Sequence, residues 1–318
     1  MTLAHDDMMP PAEYLGVHRT AIEEAARRVR SRIRHTPLRA LPCGTLLKLE
    51  SMQVSGSFKM RGAYNALLRL PGHPAGVVAA SSGNHAKAVA TAGRALGIAV
   101  TVVAPENVLP TKLAAVRDLG AEVITHGVTF GNRDGLARAI AAERGWPFVH
   151  SSDDWDVIHG QATVAEEIMA AVRDLATVVV PVGGGGLLGG TALAVKSRAP
   201  HVAVIGVEPE RAADAAASLR TGRLHRLHGE ADTIADGARV ASLGERPFEV
   251  VVGRGLVDDI VTVSEDSIRT AWHAMADVPA EPTAALPLAA LLDRAVPAGT
   301  GTVLVISGGN VKRPASET

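Results

Sequence analysis

One lysine of this chain stands among small and apolar residues, in the segment Ser-Gly-Ser-Phe-Lys-Met-Arg-Gly-Ala at residues 55–63. Burying an ammonium group is costly, so partial burial of Lys59 favours the neutral amine. A neutral amine attacks a carbonyl group and forms a Schiff base. A lone lysine at the start of a helix more often extends its amine into water, so this segment alone leaves both interpretations open.

Four consecutive glycines follow an apolar run and precede a helical pattern, at residues 183–186. Backbone N–H groups at a helix start, with no side chains in the way, bind phosphate well. No Gly-Lys-Ser/Thr follows, which excludes a P-loop. Gly184, Gly186 and Gly189 also have the G-x-G-x-x-G spacing of a dinucleotide site, and Glu208 stands where a ribose-binding acid would lie. Tight packing of strand against helix is the third explanation, and we favour phosphate binding over both.

Two polar segments follow predicted strands. Ser-Ser-Gly-Asn-His covers residues 81–85, and Ser-Gly-Gly-Asn covers residues 307–310. The first offers hydroxyls and free N–H groups to a carboxylate at the start of a helix. Considered singly, helix capping explains the first segment and an ordinary polar turn explains the second.

Short β-branched runs alternate with alanine-rich helical patterns. Strands are predicted at residues 46–49, 76–80, 99–104, 122–125, 177–182, 202–207 and 302–306. Helices are predicted at residues 86–96, 111–119, 133–144, 164–173 and 187–197. Strands that are apolar at nearly every position are typical of a parallel sheet covered on both faces. The sequence therefore predicts an α/β fold with parallel sheets flanked by helices.

The alternation of strands and helices is interrupted twice, at residues 71–74 and at residues 151–154. We therefore predict a large domain made of residues 1–72 and 151–318, and a small mobile domain made of residues 73–150. The cleft between two such sheets is where a ligand is expected.

The composition excludes several classes of function. The 318 residues include 32 Lys plus Arg and 33 Asp plus Glu, which gives no electrostatic case for binding nucleic acid or an acidic membrane surface. Cys43 is the only cysteine, so an internal disulfide is impossible. The N-terminal residues lack the pattern of a signal peptide, and no apolar run is long enough to span a bilayer. We expect a cytoplasmic protein.

Taken together and in this order, Ser-Phe-Lys-x-Arg-Gly, Ser-Ser-Gly-Asn-His, the four-glycine loop and Ser-Gly-Gly-Asn resemble the motifs of the fold-type II pyridoxal-phosphate enzymes. Their fold is the two-domain fold of the tryptophan synthase β-subunit. The branch that the chain resembles is that of serine/threonine dehydratases and serine racemases, from His35 to Asn310. A related sulfhydrylase usually has Thr-Ser-Gly-Asn-Thr at residues 81–85. The chain stops soon after Asn310, so the resemblance implies no C-terminal regulatory domain and no feedback inhibition by isoleucine.

The resemblance implies a set of cofactor-binding residues: Phe58, Lys59, Asn84, Gly183, Gly184, Gly185, Gly186, Leu187, Gly237 and Ser307. Lys59 would form the Schiff base and then act as base on the substrate Cα. Asn84 would bond the phenolic oxygen, and residues 183–187 would hold the phosphate. Ser307 would meet the pyridine nitrogen, and its neutral hydroxyl would make the ring a weaker electron sink than an aspartate would.

The implied substrate-binding residues are Ser81, Ser82, His85, Arg133 and Ser242. In serine racemases the serine that matches Ser82 handles the proton opposite the lysine, so Lys59 and Ser82 would allow racemisation beside elimination. Ser242 and Arg133 are candidates for gripping the substrate carboxylate, although an arginine on a helix is more often solvated. If Arg133 faces the cleft, it favours a dicarboxylic substrate such as 3-hydroxyaspartate.

The segment after Glu208 resembles the divalent-cation loop of the racemases. Glu208 and Asp214 would supply carboxylates and Ala212 a backbone carbonyl, an all-oxygen set that suits Mg²⁺ or Ca²⁺. Two carboxylates in a loop are otherwise often just solvated. The usual Gly-Gln-Gly-Thr reads Gly-Gln-Ala-Thr at residues 160–163, and His159 before it has no interpretation from sequence.

The predicted function is a pyridoxal-phosphate-dependent ammonia-lyase that converts L-serine or L-threonine to the 2-oxo acid and ammonia, with serine racemisation as a further activity. Alternatives are a threo-3-hydroxyaspartate ammonia-lyase or a serine racemase as the main activity. Outside this family stand a Rossmann-type NAD-dependent oxidoreductase and a silent relative that only binds amino acids. We expect a homodimer with an amino-acid substrate.

Overall fold

The strands form two sheets in the computed structural model, which describes Met9 and residues 11–108 and 110–311. The strands are β1 (Leu38–Ala40), β2 (Leu46–Lys48), β3 (Gly76–Ala80), β4 (Ala99–Val103), β5 (Glu122–Ile124), β6 (Thr177–Pro181), β7 (Ala203–Pro209), β8 (Asp259–Val263) and β9 (Thr302–Val305). The large sheet has the order β1-β2-β9-β6-β7-β8, and the small sheet has the order β3-β4-β5. Every neighbouring pair is parallel except β1 with β2. The predicted α/β fold with parallel sheets is confirmed.

The helices lie between these strands and pack on the sheets. They are α1 (Pro11–Val29), α2 (Lys59–Arg69), α3 (Asn84–Leu96), α4 (Pro110–Arg117), α5 (Arg133–Arg144), α6 (Trp155–Ala171), α7 (Gly186–Lys196), α8 (Asp214–Thr221), α9 (Glu245–Phe248), α10 (Glu265–Ala274) and α11 (Leu286–Leu292). No helix of the described ranges is both long and apolar enough to cross a membrane.

The central strand β6 shows why the runs apolar at every position belong in this sheet. Successive side chains of a strand point to opposite faces. Val178 packs in one cluster with Leu193 of α7, and Val179 packs in a different cluster with Leu286 of α11. Because helices cover both faces, no position of β6 is left for a polar side chain facing water.

The observed elements differ from the predicted ones mainly at helix starts. Helix α6 begins at Trp155, well before the predicted residue 164, because a carboxylate oxygen of Asp154 accepts from the N–H groups of Asp156 and Val157 and caps the first turn. Helix α3 begins at Asn84 rather than at residue 86. The predicted ranges do not include strands β1 and β8 or helices α1, α2, α8, α9, α10 and α11. The short exposed strand β1 and the alternating burial of β8 give weak strand signals.

The division into a large domain, residues 1–72 and 151–318, and a small mobile domain, residues 73–150, stays a prediction. The whole small sheet lies within the range predicted for the small domain.

Candidate active site

Lys59 is the first residue of α2, and its amine is largely withdrawn from water. Its Nζ donates to the backbone oxygen of Ser151 at 2.7 Å and lies 5.0 Å from the centroid of the Phe58 ring. Burial lowers the pKa of Lys59 to about 8, and the negative charge of Glu281 opposes that shift. A measurable fraction of the amine is therefore neutral near pH 7.

The segment around Lys59 is joined to the segment after β9. The N–H of Phe58 donates to the backbone oxygen of Ser307 at 3.0 Å. Ser57 and Gly308 form an isolated antiparallel bridge beside this bond. Ser307 is buried at the end of β9 because β9 is an inner strand of the large sheet. The first and last motifs of the sequence, far apart in the chain, therefore meet in one place.

The glycine loop leads from β6 into α7, with Gly185 at φ +83° as the residue before the helix. The N–H of Gly189 donates to the oxygen of Gly185 at 2.8 Å, so the N–H groups of the preceding residues in the first turn have no acceptor within the helix. A Cβ on Gly183 would lie 2.5 Å from the backbone oxygen of Gly237, and one on Gly186 would lie 2.8 Å from Oε1 of Gln161. Close packing is thus one reason for these glycines, and first-turn N–H groups that lack an acceptor within the helix are the other.

Ser151 and Ser152 connect the lysine to the glycine loop. The backbone oxygen of Ser151 accepts from Lys59 and from Nε2 of Gln161, the latter at 3.4 Å. The next residue, Ser152, packs so closely on the loop that a Cβ on Gly186 would lie 3.0 Å from its Cα. The predicted amine and the predicted phosphate-binding loop therefore belong to one site.

The polar segment at residues 81–85 starts α3 without capping it. Oγ of Ser81 accepts from the N–H of Gly83 at 3.2 Å, and no side chain caps the helix at Gly83. The capping explanation is therefore wrong for both serines. Ser81 and Ser82 are half-buried, and the first-turn N–H groups of α3 are left for a ligand.

His85 is a buried neutral imidazole. Its Nε2–H donates to the backbone oxygen of Val149 at 3.0 Å. Burial, and then the positive charge of Lys59, lower its pKa to about 3. Its Nδ1 is buried without a hydrogen-bond partner among the described residues, so one acceptor remains for a ligand.

Arg133 lies at the start of α5 with 19% of its side chain exposed, so it is not the solvated helix arginine that sequence left open. Its Nε donates to Asp134 at 3.0 Å, and Asp134 in turn lies 3.7 Å from Nε2 of His150. Both Arg133 and His150 contribute to lowering the pKa of His85, after burial and Lys59. The charge of Arg133 therefore acts on His85. Its side chain contacts Asp134 and the Phe130 ring.

The segment of Ser242 borders the glycine loop. The N–H of Gly244 donates to the backbone oxygen of Gly184 at 3.2 Å, and a Cβ on Gly185 would lie 2.6 Å from Leu243. Oγ of Ser242 accepts from Arg226 at 3.2 Å. Gly237 is held by its N–H, which donates to Oγ1 of Thr283 at 2.8 Å.

Glu208 near the end of β7 and Asp214 at the start of α8 are both buried. The carboxylate of Glu208 accepts from the N–H groups of Ala215 at 3.1 Å and Ala216 at 2.8 Å, in the first turn of α8. Both oxygens of Glu208 thus accept hydrogen bonds from within the protein. Both carboxylate oxygens of Asp214 are buried without a hydrogen-bond partner among the described residues. Burial raises the pKa of Glu208 to about 8 and that of Asp214 to about 7.

A cluster of three or more His, Cys, Asp or Glu side chains suited to a metal does not occur within the described ranges. Glu208 and Asp214 make a pair, with the buried Ala212 between them in the chain. The metal site therefore stays a prediction.

Four residues of the site escaped the sequence analysis: Ser151, Gln161, Glu281 and Lys87. Ser151 acts through its backbone oxygen, which no side-chain pattern reveals. Gln161 was noted only as part of a variant motif. Glu281 and Lys87 show no local signal, because their partners Asn84 and Asn310 are brought to them by the fold.

The comparisons with known proteins concern the family and the fold of this chain. The family model described as pyridoxal-phosphate dependent enzyme matches residues 29–308. L-threonine ammonia-lyase from Thermotoga maritima is 43% identical over 83% of this chain and 67% of its own length. L-threo-3-hydroxyaspartate ammonia-lyase from Saccharomyces cerevisiae is 38% identical over 91% of each chain.

The fold is shared with solved structures of the same kind. Maize serine racemase superposes with a TM-score of 0.87 at 32% identity, over 92% of this chain and 94% of the racemase. The fold of this chain is therefore that of the fold-type II pyridoxal-phosphate enzymes. The chain belongs to the family of pyridoxal-phosphate-dependent enzymes, and the NAD-dependent oxidoreductase alternative is wrong.

Proposed function

We propose that this chain is a lyase that converts a β-hydroxy amino acid such as L-serine or L-threonine to a 2-oxo acid and ammonia, with the water lost in the elimination step taken up again in the hydrolysis step. The observation that carries the proposal is the amine of Lys59, which is held at 2.7 Å from the backbone oxygen of Ser151 with its pKa lowered to about 8 by burial. The net reaction takes the proton from Cα and the hydroxyl from Cβ. The enamine that is released becomes a 2-oxo acid and ammonia on hydrolysis.

The residues present fit pyridoxal phosphate. A Cβ on any of glycines 183–186 would collide with a neighbouring residue, so the loop carries no side chains beside the first-turn N–H groups of α7, and such N–H groups suit a phosphate. Phe58 is buried beside the amine and Ser307 is hydrogen-bonded to Phe58, so an aromatic face and a hydroxyl-bearing residue border the same space. Pyridoxal phosphate, when bound, withdraws electrons from the bonds of the substrate Cα. We assign the phosphate to residues 183–187 and the remaining ring contacts to Phe58, Asn84, Gly237 and Ser307.

The protein groups that would handle the substrate lie around Lys59. Lys59 in its neutral form takes the proton from Cα. The first-turn N–H groups of α3 and the hydroxyls of Ser81 and Ser82 suit the substrate carboxylate. His85 offers one unused acceptor, Nδ1, for a substrate hydroxyl or ammonium.

A second candidate substrate is threo-3-hydroxyaspartate. The side chain of Arg133 is 19% exposed, and its positive charge contributes to lowering the pKa of the candidate substrate-binding residue His85. A guanidinium binds a second carboxylate by paired hydrogen bonds. The yeast relative at 38% identity is named for this substrate.

Racemisation is the other candidate activity and depends on Ser82. A two-base mechanism requires a proton donor on the face opposite Lys59, and Ser82 is the half-buried hydroxyl that we assign to it. The structural relative from maize is named as a serine racemase. In Ser82→Ala we expect loss of racemisation with elimination of the L-substrate retained, and equal loss of both activities would contradict the two-face assignment.

The test of the proposal is a substrate panel on the protein loaded with pyridoxal phosphate. Serine, threonine, 3-hydroxyaspartate and phenylserine are each assayed for ammonia, for the 2-oxo acid and for the D-enantiomer. Arg133→Met is the diagnostic variant, because it should reduce kcat/KM for 3-hydroxyaspartate far more than for serine if the arginine binds a second carboxylate. Cofactor binding without turnover of any of the four would favour a silent amino-acid-binding relative instead.

A divalent cation, a homodimer and a cytoplasmic location complete the proposal. Asp214 has two buried, unpartnered oxygens beside Glu208, a chemistry that suits Mg²⁺ or Ca²⁺, with the carbonyl of Ala212 as third ligand. Asp214→Asn should abolish any stimulation of the lyase by Mg²⁺. Stimulation that persists would remove Asp214 from the site.

A further inference from the structure

Two charged side chains frame a short run of amides at the start of α3. Nζ of Lys87 donates to Oδ1 of Asn310 at 2.6 Å. Nδ2 of Asn310 donates to the backbone oxygen of Ser55 at 2.8 Å and to Oδ1 of Asn84 at 2.8 Å. Nδ2 of Asn84 donates to a carboxylate oxygen of Glu281 at 2.6 Å. The run joins α3 to the segment after β9 and to the segment before α11.

The charged ends of this run determine which way each amide points. An amide presents an accepting oxygen and a donating nitrogen, and a flip exchanges the two. An ammonium group only donates, so the oxygen of Asn310 must face Lys87. A carboxylate only accepts, so the nitrogen of Asn84 must face Glu281. All the hydrogen bonds of this run are consistent with the amide orientations that Lys87 and Glu281 require.

The use of the amide hydrogens differs between the two asparagines. Both hydrogens of Asn310 are engaged, by Ser55 and by Asn84. Asn84 gives one hydrogen to Glu281, and within the described residues the other has no further acceptor. A flipped Asn84 would offer only its carbonyl oxygen, which repels an anionic oxygen.

We propose that Lys87 and Glu281 are positioning residues that keep a donor of Asn84, and not its acceptor, available to the cofactor. The inference rests on the proposed contact between Asn84 and the phenolic oxygen of pyridoxal phosphate. The inference adds Lys87 and Glu281, which the family motif does not include, and gives both the same role, which is to orient Asn84.

Glu281 is itself held in place. Its N–H donates to the backbone oxygen of Gly308 at 2.9 Å, and a Cβ on Gly308 would lie 2.7 Å from its carboxylate. The negative charge of Glu281 also acts on Lys59, because this charge opposes the effect of burial on the pKa of that amine. Glu281 therefore acts on both the orientation of Asn84 and the charge of Lys59, and the second effect is measurable without cofactor.

The first experiment titrates pyridoxal phosphate into apo-protein. Glu281→Gln and Lys87→Met should each raise the dissociation constant about ten-fold, because each removes a charge-assisted bond that orients the run. Lys87→Arg keeps a cationic donor and should restore most of the affinity. The exposed Glu143→Gln is the matched control and should leave it unchanged. Unchanged affinity in both Glu281→Gln and Lys87→Met would overturn the proposal.

The second experiment measures acylation of Lys59 in apo-protein, by mass spectrometry of the peptide that contains it. Loss of the Glu281 charge lowers the pKa of Lys59, so Glu281→Gln should acylate about twice as fast at pH 7. Lys87→Met and Glu143→Gln should react at the parent rate. A protein that binds no pyridoxal phosphate would overturn the proposed function, whereas an unchanged rate in Glu281→Gln would overturn the role of Glu281 alone.

Discussion

Lys48 and Lys59 are both withdrawn from water, but only Lys48 has a carboxylate partner. Nζ of Lys48 donates to the backbone oxygen of Thr36 at 2.7 Å and to a carboxylate oxygen of Glu167 at 2.5 Å. Nζ of Lys59 donates to the backbone oxygen of Ser151, and within the described residues no ion pair includes it. The charge of the first amine is balanced by a carboxylate in direct contact, whereas the second amine contacts a backbone carbonyl and the ring of Phe58.

The surroundings of Lys48 form a balanced buried ion cluster. Arg61, with none of its side chain exposed, donates from Nε to Glu50 at 2.8 Å and from Nη1 to Glu167 at 2.7 Å. The two cations and two carboxylates tie β2, α2 and α6 together. Arg61 lies on the same helix as Lys59, so the cluster anchors the helix that carries the reactive amine.

Burial alone does not make a lysine reactive. Burial lowers the pKa of both lysines, but Glu167 opposes the shift strongly at Lys48 through direct contact. At Lys59 the opposing charge is the more distant Glu281, and the pKa remains at about 8. A charged partner turns a buried lysine into a structural element, and its absence leaves a reactive one.

The largest effect that tests this comparison is on turnover. Lys59→Met should lower ammonia release by about a thousand-fold or more, because the variant has no amine for the cofactor or for the Cα proton. Lys196→Met, which removes an amine paired with Asp258 at 2.8 Å, is the control and should keep most of the activity. Activity within ten-fold of the parent in Lys59→Met would remove this lysine from the mechanism.

The second effect is on stability, where we expect the larger change from replacing Lys48 and the smaller change from replacing Lys59. Lys48→Met should lower the free energy of unfolding by about 3–5 kcal/mol, because the cluster then holds two buried carboxylates against one cation. Lys59→Met should stay within about 1 kcal/mol of the parent or exceed it, since it removes a buried ammonium that lacks an ion pair. Urea unfolding of the apo-proteins at pH 7 measures both. Equal destabilisation would mean that the two lysines are alike.

The third effect concerns pH. The folded pKa of Lys59 is lowered from 10.5 to about 8, so between these values the unfolded chain binds more protons than the folded one. Stability contributed by this residue therefore rises with pH across that window, by about 1–3 kcal/mol. The free energy of unfolding of apo-parent minus that of Lys59→Met should increase from pH 8 to pH 10. A flat difference would show that the pKa is not lowered.

The smallest effect is at an exposed ion pair. Arg19 and Glu23 contact each other at 3.0 Å on the surface of α1, with 49% and 35% of their side chains exposed. Arg19→Ala should change the free energy of unfolding by less than about 0.5 kcal/mol, because water already solvates both charges. The same urea experiment supplies the value, and a loss near that of Lys48→Met would contradict the contrast between buried and exposed partners.

Much of the fold and the centre of the site were predictable from local patterns. The fully apolar runs identified β3 and β6, since such runs suit only strands covered on both faces. Lys59 and the glycine loop stood out because their residue types are unusual for their surroundings. Considered alone, the segment at residues 81–85 suggests that Ser81 and Ser82 cap a helix. That interpretation is wrong, because α3 begins at Asn84 and the residue before it is Gly83.

His159 marks the limit of sequence interpretation. Its Nε2 lies 2.8 Å from Nδ1 of His18, and its ring stacks on Trp155 with centroids 5.7 Å apart. The partner belongs to α1, a helix that sequence did not predict. The pairing exists only because α1 packs against α6, so no sequence pattern near His159 predicts it.

Residue type and short-range spacing were enough to predict which residues carry unusual chemistry and where the fully apolar strands lie. Which lysine contacts a carboxylate and which contacts a backbone carbonyl depends on the tertiary structure alone. That choice depends on Glu167, Ser151 and Glu281, which lie far from Lys48 and Lys59 in the chain. The physical reason is that the charge state of a buried amine is set by the groups that the fold places around it.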